Sequence, residues 1–259
     1  MTAQALPDVP VFPHAHTVPA GTVLWRVHKS TRAVTEFNPR PADPYFGGSR
    51  FDGVSESPYP FLYAAPDPAT ALAEVLLRDR DFDMRLGVRV ILGHEVAERT
   101  LSALEVTEDL RVVSLCSAVE LAAVCQDGWL VEADGPQYAF TRRWARYLRD
   151  RAPWGQGLRW QARRNRPLES LMFFGDRRAP DALKPSATPA VPLGTPEGTE
   201  HVNELLAPLR AVIFPPVPLT PPGLPVPLIP PGLPVPPVPP VPPFPLSGDG
   251  SPDSAHAAG

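Results

Sequence analysis

Proline decides how much of this chain can fold. Of 38 prolines in 259 residues, 24 lie beyond residue 179. Each one removes a backbone donor and fixes φ, so a dense run suits neither a helix interior nor a central strand. The stretch PPGLPVP occurs at residues 221–227 and again at 230–236, a nine-residue repeat. Such a segment favours extended polyproline II, as a stiff spacer or low-complexity tail, with a docking site for a proline-recognising partner as the alternative. The chain therefore divides into an irregular segment at residues 1–17, one domain at 18–178 and a Pro-rich tail at 179–259 that is mostly extended or disordered. Inside that tail, residues 199–214 have the apolar content for one helical turn or two.

Charge narrows the function classes. Residues 1–178 hold 22 basic and 22 acidic side chains, and residues 179–259 hold 2 and 6, which gives the net −4. The cations are 22 Arg and 2 Lys. Nine of those arginines fall in residues 142–166 against the single acid Asp150. That is a basic patch, but the net charge is negative and no recognition motif accompanies it, which argues against nucleic acid as a partner. Cys116 and Cys125 lie nine apart without a His-rich neighbourhood, which fits two buried reduced thiols rather than zinc or a disulfide framework. His28 and His94 have no metal-ligand spacing, so no metal is expected. No run of 18 apolar residues exists and the N-terminus lacks the signal-peptide pattern, so a cytoplasmic protein without a membrane span is expected.

The pattern along residues 18–178 is short strands mixed with short helices. TVLWRVHK at 22–29, PFLYAA at 60–65, MRLGVRVILG at 84–93, LRVVSL at 110–115, GQGLRWQAR at 155–163 and ESLMFFG at 169–175 read as strands. Asp67-Pro68 supplies an N-cap followed by Pro at the first helical position, and Ala71, Leu72, Val75 and Leu76 form one apolar face behind it. Residues 117–125 and 138–150 read as two further helices. Regular βαβ alternation is missing, which makes the fold class α+β.

Four residues in this frame are candidates for chemistry. Arg26 sits in the first strand, opposite in facing to Trp25. Arg50 follows the glycine pair Gly47-Gly48 in GGSRFDG, where bare backbone can approach a ligand closely and an arginine can fork onto phosphate. Tyr63 lies in FLYAA. Glu74 lies at the edge of the apolar helix face. Three of them have a plain alternative: a surface arginine for Arg26, an ordinary turn for Arg50, and a solvated Glu74 paired with Arg78 four residues on.

Together, LWRVH, GGSRFDG, FLYAAPDPATALAEVLL, GLRWQARR and SLMFFGDR resemble the RES-domain family over about residues 22–178. The tightest portion is residues 47–76. The resemblance implies a compact ADP-ribosyltransferase-like mixed sheet core with short helices. It implies a toxin of a toxin–antitoxin module that degrades NAD+ by hydrolysis or phosphorolysis, with NAD+ as substrate and no cofactor, and an Xre-like antitoxin as partner. By position it assigns Arg26, Tyr63 and Glu74 to catalysis and Arg50, Gly47 and Gly48 to substrate binding. The family serine falls on Ala162, in Gly157-Leu158-Arg159-Trp160-Gln161-Ala162-Arg163, and Ser170, eight residues on, belongs to the next strand and is not an obvious substitute.

That chemistry suits these residue types. Breaking the nicotinamide–ribose bond passes through a ribose cation, and the leaving group needs no acid. A carboxylate such as Glu74 stabilises that cation or holds the incoming water. Arg26 and Arg50 suit a pyrophosphate, and Tyr63 suits stacking on a base. Two rival readings stay open here. One is a catalytically impaired nucleotide- or partner-binding protein, favoured by Ala162. The other is an ADP-ribosyltransferase acting on a macromolecule.

Overall fold

The protein is described from a computed structural model, over residues 5–214. In chain order the elements are β1 (Ala15–Val18), β2 (Val23–Lys29), β3 (Phe61–Ala64), α1 (Pro68–Leu76), β4 (Arg89–Leu92), α2 (Gly93–Val96), β5 (Arg99–Val106) and β6 (Leu110–Leu115). Then follow α3 (Ala118–Ala122), α4 (Trp129–Glu132), α5 (Tyr138–Arg151), β7 (Gly157–Gln161), β8 (Glu169–Phe174), β9 (Leu183–Pro185), β10 (Val191–Pro192), α6 (Pro196–Leu206) and β11 (Ala211–Phe214). The fold is α+β, with several sheets and short helices.

One sheet has the order β1-β6-β7-β8-β3, antiparallel except for the parallel pair β6–β7. A second runs β10-β5-β2, with β9 also pairing β5. The two meet where Trp25 and Ala65 exchange backbone hydrogen bonds of 2.7 and 2.9 Å. That junction sets the end of β3 beside β2, and α1 leaves from it. Asp67 caps α1 by accepting from the Thr70 backbone N–H at 2.7 Å, and Pro68 opens the helix.

Ala71, Leu72, Ala73 and Leu76 of α1 are buried together with Ile91, Val202, Leu206 and Ile213. Val75, read from periodicity as part of that face, instead faces the cleft described below. Strand β4 is shorter than the run at 84–93 suggests, because Asp83 and Gly87 close a turn ahead of it.

The domain boundaries need two corrections. Residues 183–214 are folded: α6 makes three turns rather than one or two, and β11 pairs in parallel with β4. The prolines there occupy positions where a missing N–H costs little. Pro196 opens α6, Pro208 opens a 3₁₀ turn, and Pro185 and Pro192 end short edge strands. At the other end, β1 begins inside the stretch read as irregular and pairs with β6, while Val11 is buried in the core. The rest of the stretch expected to be an extended tail, residues 215–259, lies outside the described residues. Cys125 is exposed rather than buried, at a left-handed position with φ 57° just after α3.

Candidate active site

Between the β2 edge, the turn at residues 47–53, β3 and α1 lies a cleft of about 460 Å³. Arg26, Arg50, Tyr63 and Glu74 all line it. Seven Lys or Arg side chains face it against one carboxylate, Glu74. A smaller chamber of about 40 Å³ adjoins it and shares Arg26, Tyr63, Glu74 and Trp160 with the main cleft.

Each candidate is held differently. Arg26 is 9% exposed, on the same face of β2 as Leu24 and His28. Its Nη1 donates to the carbonyls of Val34 and Glu36 at 2.6 and 2.8 Å. Burial pushes the guanidinium down to about 10, which still leaves it charged at neutral pH. Arg50 is 4% exposed, donates from Nη2 to the Ala133 carbonyl at 3.0 Å and reaches Glu74 Oε2 from Nη1 at 3.8 Å. Glu74 is thus paired with Arg50. Arg78, its helical neighbour, bonds Asp79 and Ser49 instead.

Tyr63 is fixed by its hydroxyl. The Phe51 N–H donates to it at 3.0 Å, and it donates to Asp52 Oδ1 at 2.8 Å. Asp52 also accepts from the Ser49 N–H at 2.8 Å. This network ties β3 to the turn and leaves the Tyr63 ring facing the cleft. Burial pushes both the Asp52 carboxyl and the Tyr63 hydroxyl up from their usual ranges. Tyr138, the first residue of α5, completes the wall. The Arg50 and Arg78 guanidinium groups sit 5.6 and 5.4 Å from its ring centre, within cation–π range.

Three of the assigned residues do not line the cleft. Gly47 and Gly48 are exposed and shape the turn, with φ of 59° and 70°. At Gly48 an added Cβ would meet Ala42 Cβ at 2.8 Å and Arg142 Nη1 at 2.9 Å. Buried Arg142 holds the turn by donating to the Gly47 carbonyl at 2.6 Å. Ala162 is fully buried just past β7, its N–H bonded to the Leu168 carbonyl at 2.8 Å, and it lines neither chamber.

The arginines of residues 142–166 do not form one exposed patch. Arg149 pairs with Asp176 and packs over Tyr59 and Phe174. Arg159 pairs with Glu169, Arg164 bonds the Arg78 carbonyl, and Arg166 pairs with Glu132. Among the described residues, no group of three or more His, Cys, Asp or Glu is placed to hold a metal ion. No helix among them is long and apolar enough to cross a membrane.

Sequence reasoning missed Asp52, Tyr138 and Trp160, took Arg78 only as a helical partner of Glu74, and set Ser170 aside as a residue of the next strand. Asp52 had a signal, lying two residues after Arg50 in the same turn. Trp160 also had one, since strand alternation turns it away from its neighbour Arg159. Tyr138 had none, because α5 reaches the cleft by long-range packing. Four buried polar atoms around the two chambers lack hydrogen-bond partners: Arg50 Nε, Tyr138 OH, Trp160 Nε1 and Ser170 Oγ. Orphaned groups of this kind are rare in folded proteins and call for an explanation.

No curated protein matches the chain. Its fold is similar to that of a chain in the crystal structure of the M. tuberculosis MbcT–MbcA toxin–antitoxin complex, with a TM-score of 0.51 and 18% identity. The likeness covers 74% of this chain and 92% of that one. The model of the RES domain family matches residues 23–195. The cleft residues Arg26, Arg50, Tyr63 and Glu74 all fall within that span, and the chain belongs to the RES domain family.

Proposed function

We propose that this cleft binds NAD+ and cleaves its nicotinamide–ribose bond, and that the protein acts as a toxin. The observation that carries the reading is one carboxylate, Glu74, in a cleft that also presents seven Lys or Arg side chains and the rings of Phe61, Tyr63, Tyr138 and Trp160. The cations attract the dinucleotide's pyrophosphate, and planar guanidinium groups suit it as bidentate donors. Tyr63, Trp160 and Tyr138 offer ring faces or edges to a base. When the C1′–N bond breaks, its electron pair goes to the nicotinamide, which leaves neutral. The ribose carbon becomes cationic, and Glu74, oriented by Arg50, supplies the opposing charge. NAD+ is the substrate, and no cofactor enters this scheme.

A toxin of this kind requires a restraining partner, and an Xre-like antitoxin is the partner proposed. The likeness in fold to a chain of a toxin–antitoxin complex supports that part of the reading. The proposed place of action is the cytoplasm. The reading as an impaired binding protein drew its force from Ala162, and Ala162 does not line the cleft.

Nicotinamide release from NAD+ by the purified chain tests the proposal. Glu74→Gln keeps the shape and removes the charge. The expected loss is about 10²–10³-fold in kcat, the scale of losing one preorganised electrostatic group. Release by the variant at the wild-type rate would sink the assignment.

A further inference from the structure

The small chamber behind the main cleft has walls that are mostly apolar: Trp25, Val27, Ala64, Ala65, Ala71 and Val75. The polar groups free to act in it are Arg26, Glu74, Ser170 and the unpartnered Trp160 Nε1, since the Tyr63 hydroxyl is already bonded to Asp52 and the Phe51 N–H. Ser170 is 3% exposed and its Oγ has no partner. In the β7–β8 register it lies directly opposite Trp160. Paired residues share a sheet face, so both point to the cleft side.

The size of the chamber is informative. About 40 Å³ is enough for an ordered water, which needs roughly 10–15 Å³ of such space. A buried water also needs two to four polar partners, and Glu74, Ser170 and Arg26 meet that need.

We propose that this chamber holds the attacking water and that Ser170 positions it, so that the bond is cleaved by hydrolysis. The inference rests on the NAD+-cleaving reading above. The water donates one hydrogen bond to the Glu74 carboxylate and one to Ser170 Oγ, which leaves a lone pair for the ribose carbon. The new C1′–O bond forms as the C1′–N bond breaks. The electron pair of the broken bond leaves with nicotinamide. The water's proton passes to Glu74 and then to solvent, giving ADP-ribose, nicotinamide and one proton. Ser170 is a positioning residue here. It supplies a hydroxyl from β8, whereas the family's position on the β7 side is a buried alanine.

The test uses the full chain with NAD+, with and without saturating inorganic phosphate, for wild type, Ser170→Ala and Ser170→Thr. Wild type is expected to yield ADP-ribose in both buffers at equal rate. Ser170→Ala is expected to lower kcat about tenfold with KM unchanged, the scale of one lost hydrogen bond, and Ser170→Thr to recover most of it. Because the hydroxyl is unpartnered, Ser170→Ala should melt no lower than wild type. A phosphorylated ADP-ribose product, a Ser170→Ala rate within twofold of wild type, or a loss of activity that tracks a fall in melting temperature would overturn the proposal. A wild type inert toward NAD+ would overturn the functional reading and this proposal together. A wild type active with Ser170→Ala unchanged would overturn this proposal alone.

Discussion

The turn at residues 47–53 sends its arginine into the cleft, and the strand at residues 157–161 sends its arginine away. Both segments are Gly-led, and both place an arginine beside an aromatic. In the turn, Arg50 is buried against Glu74 and Ala133, and Phe51 packs into the core against Trp160. In the strand, Trp160 faces the cleft while Arg159 bonds Glu169 and Ser114 on the other side. A turn with positive φ aims its side chains by local backbone shape. A strand aims them by parity, and parity is fixed by register with its neighbours. The same residue pair therefore carries opposite assignments in the two settings.

The largest effect expected from this contrast separates the two arginines. Arg50→Ala should reduce nicotinamide release by about 10²-fold or more, because it removes the partner of Glu74. It should also cost about 3–5 kcal/mol in chemical denaturation, from an ion pair broken in a buried setting. Arg159→Ala should leave turnover within about threefold and cost only about 1 kcal/mol, since Glu169 is partly exposed. Equal losses of turnover in the two variants would break the contrast.

Next come the glycines that shape the turn. Gly48→Ala combines positive φ with contacts under 3 Å and should destabilise by about 2–3 kcal/mol. Gly47→Ala meets no atom within 4 Å and should cost about 1 kcal/mol. Urea unfolding of the two proteins side by side measures the difference. A Gly47→Ala protein as unstable as Gly48→Ala would show that crowding at Ala42 and Arg142 does not matter.

A smaller effect sharpens the strand half of the comparison. Ala162→Ser puts a hydroxyl where the family resemblance expects a serine, at a residue that is fully buried and outside the cleft. It should cost about 1–2 kcal/mol if the hydroxyl finds no partner, and nicotinamide release should stay within about twofold. A gain of tenfold would return the catalytic hydroxyl to β7.

The smallest effect belongs to neither segment but to the β2 wall that faces both. Burial, with the nearby Arg26 charge acting the same way, lowers the His28 pKa below the ordinary 6.5. Folding therefore favours neutral His28. Its contribution is complete above the unfolded value and is lost as pH falls through the lowered folded value. Wild type should lose stability modestly on acidification below 6.5, and His28→Asn should flatten that part of the denaturation profile. An identical slope in both proteins would remove His28 from the account.

Much of this architecture could be read from residues alone. The β-branched and aromatic run of β2, the Asp67-Pro68 cap and the amphipathic α5 are local signals, and the structure follows them. The convergence of Arg26, Arg50, Tyr63 and Glu74 was legible only through the family resemblance, because no local pattern says that β2 approaches α1. Trp160 and Ser170 depend on the β7–β8 register, and Tyr138 depends on where α5 docks. Composition misled at residues 179–214. A proline count averages over positions, whereas the fold depends on whether each missing N–H was needed.

Helix α1 is packed by α6 and by the β4–β11 pair, whose last residue is Phe214. Synthesis runs from the N-terminus, so Glu74 is made about 140 residues before the strand that closes the core beneath it. Until residues 196–214 have emerged from the ribosome, the helix bearing Glu74 has no complete surface to rest on. The order of translation thus delays assembly of the cleft until almost the whole described domain exists, and a chain interrupted before that point carries Glu74 without its support.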